Sequence, residues 1–432
     1  MRAFLSSSVG VACAAALVLP LSVPSGAAAA PQDARTGTAV PGSTESLPLV
    51  PLGSERSFGV ATEQGLPQRD VQPFSLVGVV WDDADAELHG SVQVRSRSAE
   101  TGDWSGWQDI ETHNAEHGAD LGTSERDSGT VRGSTAPLWV GASDGVQVRV
   151  QADDGPDAGP ARAPLPRGLS LELVDPGEAP EQLPVTEADA SRGQTVATDS
   201  DSDSDAATKP NTPNAATKPN TANTGTAAKP YTAPRPKIIS RKGWGANEKL
   251  REKRLGYTKT VKAAFVHHSA TGNNYTCKQA PSVIRGIYRY HVTSSGWRDI
   301  GYNFAIDKCG NIYEGRAGGV TKPVMGAHTL GFNTNSTGIA VLGSYSTTNP
   351  PAAVTTAVAK LSAWKLGLHG INPRGKVTLT SAGGNKYAKG KKVSMNAVSG
   401  HRDGFVTDCP GNKLYSKLGT IRVSAAKYQG RS

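Results

Sequence analysis

Between residues 177 and 236 the chain contains almost nothing that could build a hydrophobic core. The run Asp199-Ser200-Asp201-Ser202-Asp203-Ser204-Asp205 is followed by a nine-residue repeat, Ala-Ala-Thr-Lys-Pro-Asn-Thr-Pro-Asn at 206–214 and Ala-Ala-Thr-Lys-Pro-Asn-Thr-Ala-Asn at 215–223. Such composition buries too little apolar surface to offset chain entropy, and it reads as an extended, flexible tether. The Asp-Ser run lacks the glycine and the bidentate glutamate of a calcium loop. A chain of 432 residues interrupted in this way is expected to fold as separate units on either side of the interruption.

The N-terminus carries Arg2, an apolar run from Val9 to Leu19, and the small residues Ser25-Gly26-Ala27-Ala28-Ala29-Ala30 before Pro31. That layout is a secretory signal peptide over 1–30, with cleavage near Ala30. The run is too short to span a bilayer comfortably and no later stretch could, so the expectation is an exported protein with no membrane span. Residues 31–70 are rich in Pro, Ser, Gly and Thr and are expected to be poorly ordered.

Charge is divided unevenly. Residues 1–236 hold 16 basic and 31 acidic side chains, a net of −15, whereas 237–432 hold 30 and 7, a net of +23. A positive unit outside a cell is drawn to anionic surfaces such as wall polymers. Export and the lack of an aromatic-plus-basic platform argue against nucleic acid. Cys13 leaves with the signal, so Cys277, Cys309 and Cys409 remain. In an oxidising compartment two can pair, and the third is an accident, an intermolecular link or a ligand.

From Phe74 the texture becomes that of short strands. Phe74 to Trp81 is an apolar run, and Ser91–Arg95, Val146–Val150 and Leu169–Leu173 alternate apolar with polar at period two. Trp104, Trp107 and Trp139 supply packing bulk, which predicts a small antiparallel β-sandwich-like accessory domain over 71–176. No catalytic constellation is evident there. His89, His113 and His117 lack a convincing set of partners, and the acidic stretch between Asp109 and Asp127 reads most simply as a solvated loop.

The segment 237–432 interleaves strands and helices. Ala263–His268 reads as a strand, and Ser282–Val292 as a helix opened by Pro281, with Ile284, Ile287, Tyr288 and His291 on one face. Tyr302–Ile306 and Asn311–Glu314 suggest a hairpin about Cys309-Gly310. Thr337–Leu342 is an apolar strand, and Val354, Val358, Leu361 and Leu368 mark a helix after Pro350-Pro351. The expectation is an α/β domain with a mixed central sheet. His401 and Cys409, eight residues apart in a segment bounded by Gly and Pro, offer imidazole and thiolate, both accepted by zinc. A catalytic zinc needs three protein ligands and one open position. The third candidate is His267 or His268, of which only one can face a given side of a strand.

Several motifs occur together and in order: Phe265-Val266-His267-His268-Ser269-Ala270-Thr271, Gly296-Trp297-Arg298-Asp299-Ile300-Gly301-Tyr302-Asn303-Phe304, Ile312-Tyr313-Glu314-Gly315-Arg316, Gly326-Ala327-His328, and Gly400-His401-Arg402 through Asp408-Cys409-Pro410-Gly411. Over about 238–425 the chain resembles peptidoglycan recognition proteins and the type-2 N-acetylmuramoyl-L-alanine amidases. The resemblance implies zinc (Zn2+) held by His267, His401 and Cys409, with Tyr302 as the catalytic tyrosine. It puts Thr407 where phage members have a lysine and many recognition proteins a threonine. It also implies substrate contacts at His328 and at Arg316, whose planar fork suits a stem-peptide carboxylate. On the same resemblance Cys277 and Cys309 are expected as disulfide partners, which leaves Cys409 for the metal.

The implied activity is hydrolysis of the amide between N-acetylmuramic acid and L-alanine in peptidoglycan by an exported zinc enzyme. Its partners would be muropeptides and anionic wall polymers. The alternative is a recognition module that binds without cutting. Loss of the cysteine ligand is the mark of that class, and Cys409 is present.

Overall fold

Leu76, Val77, Val79 and Val80 are all buried, although they point alternately to the two faces of one strand. Both faces of the N-terminal sheet are therefore covered, and the cover on one of them is the C-terminal domain. The computed structural model describes residues 41–52, 62–112, 114, 116–153, 164–178 and 231–432. All of these fall within one compact unit, Thr38–Ser432. The expected signal peptide, the Asp-Ser run and the nine-residue repeat lie outside the described residues.

The N-terminal strands are β1 (Thr44–Pro48), β2 (Val50–Pro51), β3 (Glu63–Trp81), β4 (Gly90–Ser98), β5 (Gln108–Ile110), β6 (Gly133–Ser134), β7 (Leu138–Ala152) and β8 (Ser170–Val174). They form one eight-stranded sheet in the order β1-β8-β3-β7-β4-β5, with β2 and β6 also pairing to β3, and every pairing is antiparallel. The period-two alternation has its expected result: Val92, Val94, Val146, Val148 and Val150 join Val77, Val79 and Trp81 in one core. Register shifts between Leu66 and Leu76 mark bulges in the long strand β3, the device by which such a strand bends.

Two expectations need correction here. The segment 31–70, expected to be poorly ordered, contains β1 and β2, and β3 begins at Glu63. Leu47 pairs opposite Leu171, and Leu49 is buried in the same core. So few apolar residues read as disorder because their partner strand lies more than a hundred residues away. Trp139 does supply bulk, but to the contact between domains: with Leu76, Val80 and Val174 it packs against Ile284, Ile287 and Tyr290. A Cβ at Gly78 would lie 2.4 Å from the Tyr290 hydroxyl oxygen, so the close approach of the domains requires glycine there.

The C-terminal strands are β9 (Ile238–Ile239), β10 (Ala263–His268), β11 (Phe304–Ile306), β12 (Ile312–Glu314), β13 (Ser336–Val341), β14 (Lys376–Thr380), β15 (Lys392–Asn396) and β16 (Val398–Gly400). The helices are α1 (Arg241–Trp244), α2 (Ala280–Arg289), α3 (Ala352–Gly367), α4 (His401–Gly404), α5 (Asn412–Tyr415) and α6 (Leu418–Tyr428). The central sheet runs β16-β10-β13-β11-β12-β9 and is mixed, with β10 parallel to β13 and β16, and β11 antiparallel to β12. Helices α3 and α6 cover one face, where Val354, Val358, Leu361 and Ile421 meet Val266, Ile339 and Val341. Helix α2 covers the other, over Ala340 and Leu342, and continues as a π turn, Tyr290–Ser294, that carries His291. The disulfide Cys277–Cys309 is formed.

Candidate metal centre

Strand register brings two of the expected ligands together. β10 and β16 run parallel with Val266 opposite Gly400, so the next residues, His267 and His401, stand side by side at the carboxyl ends of adjacent strands. Their ring centroids are 4.5 Å apart. Ligand sites of α/β sheets gather at such strand ends. His267 is opposite Ala340 and shares the sheet face covered by α2, while Val266 and His268 point to the other face. The first histidine of the pair is thus the one in the site.

Cys409 returns to the same place because the chain after α4 folds back, with Arg402 N–H donating to the Cys409 carbonyl at 3.0 Å. Its Sγ lies 3.8 Å from His267 Nδ1. The other ring nitrogen of His267, Nε2, lies 3.2 Å from His328 Nδ1 and 3.4 Å from Thr329 Oγ1. Those contacts orient the imidazole and leave Nδ1 toward the cysteine, the usual way in which a ligating histidine is steadied. His328 is therefore not on an open groove as expected. It is fully buried beneath His267, with Nε2 3.4 Å from Ser336 Oγ, because the chain packs it against Gly338, where a Cβ would strike its ring.

A fourth group completes the cluster, and it comes from the other domain. One ligand atom each of His117, His267, His401 and Cys409 can be chosen so that all lie within 4.8 Å of one another. All four residues are buried, His117 with 7% of its surface exposed. The His117 ring stands 4.6 Å from that of His401 and 5.3 Å from that of His267. The acidic stretch expected to be a solvated loop is instead inserted into the C-terminal domain. It connects β5 to β6, and such long connections are unusual unless they have a task.

The insertion is held at several points. Thr407 Oγ1 donates to Glu116 Oε1 at 2.6 Å and accepts from Cys409 N–H at 3.1 Å. Leu330 N–H donates to the Glu116 carbonyl at 2.9 Å. Asp120 Oδ1 accepts from Gly331 N–H at 2.8 Å and from Asn333 Nδ2 at 2.7 Å. Arg316, expected to meet a substrate carboxylate, makes a two-pronged ion pair with Glu125, at 2.8 and 2.7 Å, away from solvent. Burial alone would raise the Glu125 carboxyl, but Arg316 and the Arg298 N–H hold it below the ordinary value.

The electrostatics fit a metal. Burial pushes His267 and His401 well below the usual imidazole pKa, with neighbouring imidazoles adding to the effect, and takes His117 to about 3. All three are neutral donors at physiological pH. Among the described residues neither ring nitrogen of His117 has a hydrogen-bond partner. The ring nitrogens of His401 also lack one of ordinary geometry, although the Glu116 backbone lies where it favours the charged form. Burial raises the Cys409 thiol well above its ordinary value, and a bound divalent cation would reverse that. Unsatisfied buried nitrogens beside a buried thiol are costly, and three nitrogens with one sulfur are a donor set that zinc accepts.

Tyr302 is buried beside the cluster, its ring 5.5 Å from that of His267 and 5.7 Å from that of His117. Burial, then Cys409 and Glu116, lift its pKa far above the phenol value, so it keeps its proton. Reasoning from sequence missed His117, Glu116, Asp120 and Glu125. The available signals were two histidines four residues apart and the length of the loop that bears them.

Comparison with known proteins gives two family matches. Residues 257–412 match the family described as N-acetylmuramoyl-L-alanine amidase, and residues 29–167 match the Rv3811 N-terminal galactose-binding domain-like family. The chain is similar to peptidoglycan-recognition protein SC2 of Drosophila melanogaster, with 34% identity over 185 residues, 42% of this chain and 85% of that protein. It is also similar to the human N-acetylmuramoyl-L-alanine amidase, 31% identical over 194 residues that cover 43% of this chain and 28% of that protein. Among solved structures, wild-type Drosophila PGRP-LB aligns with 27% identity and a TM-score of 0.34, covering 43% of this chain and 93% of that one.

Proposed function

Because the chain belongs, through its C-terminal domain, to the family of peptidoglycan recognition proteins and type-2 amidases, we propose that it is an exported, zinc-dependent hydrolase. It cuts the amide between N-acetylmuramic acid and L-alanine in peptidoglycan. The observation that carries the reading is the convergence of Cys409 with His267 and His401, since the sulfur ligand is what a merely binding module can dispense with. The three-part layout of residues 1–30 supports export, and among the described residues no helix is long and apolar enough to cross a membrane.

In this reading His267, His401 and Cys409 hold the zinc. When bound, the ion lowers the pKa of a coordinated water toward neutrality and polarises the scissile carbonyl. His328 fixes the imidazole of His267 with Nδ1 turned toward Cys409, where it would be free to ligate. Tyr302, which retains its proton, donates to the oxygen on which negative charge develops, a contribution of about 3 kcal/mol for one well-placed donor. The Thr407 hydroxyl accepts the Cys409 N–H and holds the ligand loop in place. The excess of basic residues in 237–432 supports attraction to an anionic wall.

The test is peptide release from purified peptidoglycan, followed by mass spectrometry. Because the loop bearing His117 and Glu125 lies against the His/Cys cluster, it is run on the full chain and on a His117→Ala/Glu125→Ala variant. Peptides beginning with L-alanine should appear, vanish on chelation and return with zinc. If both proteins bind muropeptides and neither releases a peptide, the chain recognises the wall without cutting it and the reading fails.

A further inference from the structure

Zinc bound by three protein ligands keeps a fourth position for water, and closing that position with a fourth protein ligand turns a catalytic site into a sealed one. In this chain a fourth donor is already in place. We propose that the β domain seals the hydrolase's own centre, with His117 as the fourth metal ligand and the surrounding loop occupying the substrate cleft. The chain as folded is then a latent form, opened when that loop withdraws. This rests on the metal-hydrolase reading above, and its failure can be told apart from the failure of that reading.

Three independent observations converge on the loop. His117 is buried with both ring nitrogens unpartnered among the described residues, and it faces His401 and His267 closely enough to share a metal with them. A tetrahedral zinc with Zn–N near 2.05 Å and Zn–S near 2.3 Å needs donor–donor separations of about 3.3–3.7 Å. A set already within 4.8 Å reaches that by small side-chain rotations.

The second observation is that the side chains flanking His117 engage the groups a substrate would need. Glu116 takes the hydrogen bond of Thr407, next to the ligand loop, and Glu125 takes both prongs of Arg316, the side chain suited to a substrate carboxylate. The loop thus places carboxylates of its own where an anionic peptide would be read. The third is the docking face behind the loop, which is extensive and apolar. Leu76, Val80 and Trp139 pack on α2, and the Trp139 backbone N–H donates to the Thr271 carbonyl at 3.0 Å.

Cobalt(II) substitution reads the fourth position without relying on turnover. The full chain loaded with cobalt should show the d–d bands of a closed tetrahedral site and no change on titration with azide. His117→Ala should open one position, so that azide shifts the bands, and should bind zinc more weakly by at least about tenfold, the lower end of the loss seen when even an outer-shell partner of a ligand is removed. His117→Gln, which keeps the bulk of the side chain, guards against a folding defect and should respond to azide in the same way. Peptide release by either variant should exceed that of the wild type by at least about tenfold. If azide shifts the wild-type spectrum as it shifts that of His117→Ala, the fourth position is open and the proposal is wrong. If the azide response behaves as expected but no protein releases peptide, the seal stands and the hydrolase reading falls.

Discussion

Two groups of candidate metal ligands meet in one buried cluster and are held there by different means. His267 and His401 sit at the ends of adjacent parallel strands, their spacing imposed by sheet register and their surroundings fully buried. His117 rides on a long connection of an antiparallel sheet and is held in place by polar contacts that its neighbours Glu116, Asp120 and Glu125 make with the other domain. The first pair cannot leave without unfolding the sheet. The third histidine can leave if a few polar contacts are exchanged for water or for another ligand. A difference of this kind separates a permanent part of a site from a removable one, since loops open at far lower cost than core strands.

Substitutions should expose that difference, beginning with the permanent part. Cys409→Ala should abolish peptide release in every background, including His117→Ala, and reduce stoichiometric zinc uptake measured by inductively coupled plasma analysis. Next in size, Arg316→Ala leaves the Glu125 carboxylate buried without its partner. Losing one member of a buried pair costs about 3–5 kcal/mol, which chemical denaturation should register. The same change should loosen the loop, seen as faster amide exchange over 116–126. Tyr302→Phe, on the permanent side, should lower kcat by about 10²-fold in the opened variant with KM little changed.

Acid should weaken the fold through histidines buried neutral. His291 lies in the π turn that packs against the N-terminal sheet, with burial taking it to about 3. Its Nδ1 accepts from Gly301 N–H, which requires the neutral ring. The unfolded chain takes up that proton near pH 6.5 and the folded chain does not, so stability should fall as pH drops from about 6.5 toward 3. The slope is about 1.4 kcal/mol per pH unit for this group, and urea unfolding at several pH values measures it. His291→Asn should lower the slope by that one group's share. The smallest effect belongs to His89, an exposed histidine of the same domain as His117. His89→Ala should change stability by no more than about 0.5 kcal/mol and leave zinc affinity where it was.

The C-terminal site was legible because its parts recur as motifs and because a strand allows only one of His267 and His268 to face the cleft. Alternation in β4 and β7 was equally legible, since half-buried strands write their inward face into every second residue. The contacts between the domains were not. Glu116, His117 and Glu125 look like ordinary loop residues, because the side chains they touch lie about two to three hundred residues further along the sequence. Leu47 and Leu49 failed to announce a strand for the same reason. His328 was assigned to the substrate by its motif, whereas packing against Gly338 turns it inward to serve His267.

The most direct measurement is a crystal structure of the zinc-loaded full chain with anomalous data collected on either side of the zinc edge. One strong peak is expected, bonded to His267, His401, Cys409 and His117, with no solvent ligand. A peak held by the first three and a water, with His117 turned away, would contradict the seal, and the absence of any peak among these residues would contradict the metal centre itself.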